Sequence, residues 1–149
     1  MTEIQRLDTA AAASALAAVP RAARGFLGVD PVTQNHALLV RELTRLGAQV
    51  FRTGDTLLGY LPNEEQPRQA YVASTSPDPE PLRGFLDFLG NYQRCTSFVA
   101  LVPADSPPVL ALHDCGFTRV GTLREHRYQS GAYQDVSVYF VRGEDTCRS

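Results

Sequence analysis

"ALHDCGFTRVGTLREHRYQSGAYQDVSVYFV", residues 111–141, is the stretch on which the fold turns. It opens inside a short helical run, "PPVLALHDC", that Ser106 and Pro107 can start and that Gly116 ends as a C-terminal stop. Phe117 follows as a plug for the core beneath the helix. Two long runs with strand character come next, 118–129 and 132–142, divided by Ser130–Gly131, which is the composition of a tight hairpin turn. A chain that closes on helix, long strand, tight turn, long strand has the tail of an antiparallel sheet with a helix packed on it.

Working back towards the N-terminus adds the rest of that sheet. "SFVALVP" (97–103) is almost continuously apolar, as expected of a strand covered on both sides. Before it, Leu82, Phe85, Leu86 and Leu89 mark the apolar face of a helix, entered through "SPDPEP" and preceded by a strand at 68–74. "AQVFRTGDTLLGYLP" reads as a hairpin turning at Thr53, Gly54 and Asp55. Asp30 as N-cap and Pro31 at the first helical position predict a helix whose Val32, Leu39, Leu43 and Leu46 share a face until Gly47 stops it. An Ala-rich helix, capped by Asp8 or Thr9 and interrupted by Pro20, and a weak strand at 3–7 complete the chain. The predicted class is α/β of the α+β kind: one domain over residues 1–149, with a mostly antiparallel sheet of seven strands and helices on both faces.

Composition narrows the function. The 149 residues are 44% apolar with a formal charge of −2 and no basic face, so the sequence predicts neither a nucleic-acid partner nor an anionic membrane surface. No run reaches membrane-spanning length, and the N-terminus lacks the basic and apolar regions of a signal peptide, so a cytoplasmic protein is expected. Cys95, Cys115 and Cys147 form no C-x-x-C pair and the three histidines are dispersed, so neither a disulfide framework nor a metal site is expected. There is no P-loop, G-x-S-x-G, H-E-x-x-H or dinucleotide fingerprint.

Gly116–Phe117, Gly121 to Glu125 ("GTLRE") and Gly131 to Val136 ("GAYQDV") together resemble the C-terminal half of the GNAT (GCN5-related) N-acetyltransferases, particularly the phosphinothricin-acetyltransferase branch. The resemblance implies a V-shaped splay between the fourth and fifth strands that takes acetyl-CoA or another acyl-CoA. It also implies backbone donors on the fourth strand (Val72, Ala73, with Ser74 beside them), a small-molecule amine as acceptor, and a homodimer. In such enzymes the CoA pyrophosphate rests on the N–H groups of a Gln/Arg-x-x-Gly-x-Gly/Ala loop at the start of the next helix. By position that loop is "SPDPEPLRG", where only Arg83 and Gly84 can be aligned with the pattern. Pro77, Pro79 and Pro81 each lack the backbone donor that phosphate needs, and Asp78 and Glu80 repel it.

The resemblance also places a Tyr or His acid on the short helix. Counting back from Gly116 puts Leu112 at that place, with His113 about 100° round the helix, so His113 is the candidate titrating group. Tyr71 is the second catalytic candidate, and His36, His126 and Tyr128 are the candidates for acceptor binding. Strand alternation sets Arg124, His126 and Tyr128 on one face of the hairpin and Glu125 and Arg127 on the other. The readings that follow are an acyltransferase with an atypical CoA loop, or a GNAT-like domain that has lost CoA and binds a ligand or partner, or runs another reaction.

Overall fold

Asp8 begins the first helix as expected, its carboxylate accepting the Ala11 N–H at 2.8 Å. The computed structural model describes residues 3–103, 106–129 and 131–146, so Ser130 of the expected turn and Cys147 lie outside the described residues. In chain order the elements are β1 (Gln5–Leu7), α1 (Thr9–Ala18), a 3-10 turn (Phe26–Gly28), α2 (His36–Leu46), β2 (Gln49–Thr53) and β3 (Thr56–Pro62). They continue as β4 (Gln69–Ser74), α3 (Pro79–Tyr92), β5 (Ser97–Pro103), α4 (Val109–Asp114), β6 (Thr118–Gln129) and β7 (Ala132–Arg142), closed by a 3-10 turn (Gly143–Asp145).

The seven strands form one sheet in the order β1-β2-β3-β4-β5-β7-β6, and only the β4–β5 pair is parallel. Each face carries its own core. Leu82, Phe85, Leu86 and Leu89 of α3 and Leu112 of α4 pack against Phe51, Leu58, Val72, Phe98 and Tyr139 on one face. Leu16 of α1 and Leu39 and Leu43 of α2 pack against Val50 and Leu57 on the other. Helices cover both faces because alternate residues of the central strands are apolar on both sides.

The start of α2 departs from expectation. Asp30 does not cap it: its carboxylate accepts from the Val32 N–H (3.1 Å) and the Thr33 hydroxyl (3.0 Å), closing a local turn that contains Pro31. The helix starts five residues later, where Asn35 accepts the Leu38 N–H at 2.9 Å. Val32, counted on the apolar stripe, is exposed. An aspartate bonding two residues on makes an Asx turn as readily as a helix cap, and periodicity cannot tell the two apart.

The segment between α1 and α2 lies against the sheet, with Phe26 and Leu27 pressed on β3 at Gly59. A methyl group at Gly59 would sit 2.7 Å from both side chains, so only a glycine admits this contact.

Candidate functional site

β4 and β5 stay paired only from Gln69–Ser97 to Tyr71–Val99; beyond that β4 has no partner on its β5 side, while β5 continues to Pro103 against β7. This is the splay that the resemblance implies. The direction of the freed groups follows from the β3–β4 ladder. Asn63 N–H bonds the Gln69 carbonyl and Thr75 N–H bonds the Leu57 carbonyl, so residues 69, 71, 73 and 75 turn their main chain towards β3. Arg68, whose carbonyl accepts from Thr96 and Ser97, begins the opposite series. Val72 and Ser74 therefore turn to the β5 side, the Val72 N–H closing the last rung on the Val99 carbonyl and the Ser74 main chain facing the gap, whereas Ala73 is spent on β3. Neither of the two main-chain donors expected on this strand is open, and the first main-chain donor turned towards the gap is that of Ser74.

The gap is narrow. Gly25 and Phe26 close it on the α1–α2 face and Pro108 and Leu112 on the other, leaving a cavity of about 20 Å³. Leu112, not His113, is the α4 residue at its edge. His113 is exposed on the outer side of α4, its ring edge-on to Tyr139 at 5.8 Å. The structure therefore does not bring His113 to the splay or to Tyr71, which lies on the other face of the sheet.

Between β4 and α3 the donor count can be completed residue by residue. Thr75 N–H goes to Leu57, Ser76 N–H to the Ser74 hydroxyl (3.3 Å), Asp78 N–H to the Ser76 hydroxyl (3.0 Å) and Glu80 N–H to the Asp78 carboxylate (3.1 Å). Pro77, Pro79 and Pro81 have none to give. Arg83 is engaged by the Glu80 carboxylate and by the Asp114 carbonyl (3.3 Å), and Gly84 is exposed on the helix surface. A nucleotide diphosphate thus meets no open main-chain donor over residues 75–81 and faces two carboxylates. These residues do not fit that group.

Beside the splay, the open space lies on the α1–α2 face. A cleft of about 340 Å³ runs beside the splay, walled by Leu27 and Gly28 of the 3-10 turn, Gln34, Glu42, Arg45 and Leu46 at α2, Leu61 of β3, Tyr71 and Val72 of β4, Leu101 of β5 and Arg127 of β6. Glu42 and Arg45 pair along the helix at 2.8 Å. Gln34 accepts the Asp30 N–H at 2.8 Å, tying the start of α2 to the preceding turn. Arg127 donates to the Gly28 carbonyl at 2.8 Å. Gly28 has φ +90°, a conformation that favours glycine, and a methyl there would lie 2.9 Å from the Arg127 guanidinium and push it aside. Burial lowers the Arg127 pKa from its ordinary value, with nearby Asp30 partly offsetting that effect.

Tyr71, Val72 and the gap thus adjoin the cleft, but three other candidates do not. His36 is exposed, its Nε2 3.3 Å from the Ala10 carbonyl. His126 is exposed in an irregular part of β6. Tyr128 is exposed and packs its ring on Tyr133 at 5.1 Å, on the face opposite Arg127. Between Leu123 (paired with Val136) and Arg127 (paired with Gln134) three residues of β6 oppose one of β7. Glu125 takes φ +50° there, its N–H held by the Asp135 carboxylate at 2.9 Å. The bulge adds an even number of residues, so Arg127 keeps the face that alternation assigns it, but alternation fails within the bulge.

Arg127, Gly28 and Leu101 were not foreseen as cleft residues. The signal for Arg127 was present, since alternation separates it from His126 and Tyr128; what covers that face depends on the β5–β7 pairing and the 3-10 turn.

No family model and no curated protein sequence matches the chain. Solved structures do. A spermidine N-acetyltransferase SpeG chimera from Vibrio cholerae and hSSAT superposes with a TM-score of 0.71 at 15% identity, covering 95% of each chain. RimJ from Mycobacterium smegmatis, in complex with CoA-disulfide, gives 0.68 at 16% identity over 98% of this chain and 84% of its own. A structure described as a putative acetyltransferase gives 0.67 at 21% identity over 95% and 83%. These superpositions extend over nearly the whole chain and show the fold: it is the GNAT fold of the N-acetyltransferases.

Proposed function

We propose that the chain is an N-acyltransferase that moves an acyl group from a thioester to the amine of a small molecule held in the 340 Å³ cleft. The parting of β4 from β5 beside that cleft carries the reading, because beyond the Tyr71–Val99 rung it leaves the Ser74 main chain facing the gap where a thioester carbonyl would be polarised. Tyr71, in the cleft wall, is the side chain assigned to proton movement from the attacking amine. Leu112 occupies the α4 position that would protonate the leaving thiolate, so solvent supplies that proton. Recognition of an acyl-CoA would rest on its acyl and pantetheine arm, since residues 75–81 offer its diphosphate nothing.

The same filled loop and narrow gap favour a second reading, a GNAT-fold domain that binds a small molecule without transferring anything to it. Thiol release from acetyl-CoA, measured with a panel of amines, separates the two. The acyltransferase reading expects release that depends on the amine and falls at least tenfold in Tyr71→Phe at unchanged melting temperature. It also expects acetyl-CoA at a hundred times its dissociation constant to stabilise the fold by about 3 kcal/mol. Neither turnover nor a thermal shift with millimolar acetyl-CoA, acetyl-pantetheine or longer acyl-CoAs would refute it.

A further inference from the structure

Among the described residues, the cleft contains a cation without a close counter-charge. Glu42 and Arg45 neutralise each other across one wall. Arg127, half-buried in the opposite wall, donates to an uncharged carbonyl, that of Gly28, and among the described residues no carboxylate oxygen lies within 4.0 Å of its guanidinium. Asp30, the nearest acid to bear on it, is itself paired with Arg24 at 3.5 Å. A guanidinium taken partly out of water and fixed by one of its five donors is a fork set for a planar oxyanion. The same lining holds the apolar side chains of Leu27, Leu61 and Leu101.

We infer that the cleft takes a small amine that also carries a carboxylate, held by Arg127 with its apolar part against Leu61 and Leu101, and that it rejects polyamines. The inference uses the cleft to which the proposed function assigns the acceptor, but it concerns binding alone and holds whether or not an acyl donor binds. The carboxylate would accept two parallel N–H bonds from Arg127. A polyamine would meet the opposite bias, because Glu42, the acid in the lining, already faces Arg45. The SpeG structure sharing this fold is named for spermidine; this cleft has the charge for the reverse kind of molecule.

The test needs no donor. The melting temperature of the purified chain is followed with alanine, valine, leucine, methionine and phenylalanine at 10 mM, and with leucinamide, spermidine and inorganic phosphate as controls. At least one of the acids is expected to raise it, while leucinamide and spermidine leave it unchanged. Arg127→Met is expected to weaken binding of that acid about ten- to hundredfold, the size of a charge-assisted contact, with Arg127→Lys between the two. Should Arg127→Met fail to fold, protection of Arg127 from phenylglyoxal by the bound acid, read by peptide mass, replaces it. No shift with any of the acids, an amide that binds as well as its acid, phosphate matching the best acid, or an unprotected Arg127 would each overturn the inference. Binding without acyl transfer would leave it standing and refute the proposed function alone.

Discussion

Gly59→Ala isolates the contact that builds the cleft wall. The added methyl would lie 2.7 Å from Phe26 and Leu27, well inside van der Waals distance, and the two side chains belong to a turn that also holds Gly28 and, through it, Arg127. Overpacking of this kind costs about 1–3 kcal/mol, and replacing a strand glycine returns roughly 0.5–1 kcal/mol of backbone entropy. Taking the middle of each range, the net loss is about 1 kcal/mol, or roughly 2–4 °C in melting temperature for a chain of this length. Urea denaturation at constant m-value measures it. Gly84→Ala is the built-in contrast: nothing lies within 4 Å of the new methyl on the exposed face of α3, so the same chemical change should stabilise by about 0.5–1 kcal/mol. Because relief is local, Gly59→Ala with Leu27→Ala should cost less than the two single changes added together. A Gly59→Ala protein as stable as the parent, or a double variant that is strictly additive, would show that the 3-10 turn does not rest on β3 as described.

Two further perturbations test the site's surroundings. Asp78→Ala removes the N-cap of α3, whose carboxylate accepts the Glu80 N–H, and should cost about 1 kcal/mol by urea denaturation; no loss would mean that Pro79 and Pro81 alone fix the helix start. At alkaline pH the buried Tyr60–Cys95 pair matters: burial raises both the phenol and the thiol above their ordinary values of 10.0 and 9.0. The folded state then holds those protons more tightly than the unfolded chain, so their contribution is intact below about pH 9 and is lost as the pH rises above it. The melting temperature should fall from pH 9 towards 11, and less steeply in a Tyr60→Phe, Cys95→Ala double variant; equal slopes would remove the pair from the account.

The candidate site divides along the same line that separates local from distant contacts. The donor-poor loop before α3 was legible because proline lacks an N–H wherever it stands, and the structure adds that the serines and Asp78 consume the donors that remain. His113 and Leu112 illustrate the limit: a one-residue spacing places them about 100° apart, but which of them meets the splay depends on how α4 docks on β5 and β7. The histidines drew attention through their chemistry and lie outside the cleft, whereas Arg127, one position from His126, lines it.

By itself the sequence determined the order and kind of the elements, the two apolar helix faces, the hairpin turn at Gly54 and the shortage of main-chain donors before α3. These are properties of neighbouring residues: periodicity, turn chemistry and the presence or absence of a backbone donor. Tertiary structure alone decided that the 3-10 turn crosses to β3 over Gly59, that Ser74 rather than Val72 or Ala73 turns its N–H to the gap, and that Arg127 comes within 2.8 Å of a carbonyl 99 positions earlier in the chain. A contact of that separation leaves no periodic trace, because the packing of a loop on a sheet depends on the shape of the whole face and not on any one stretch that forms it.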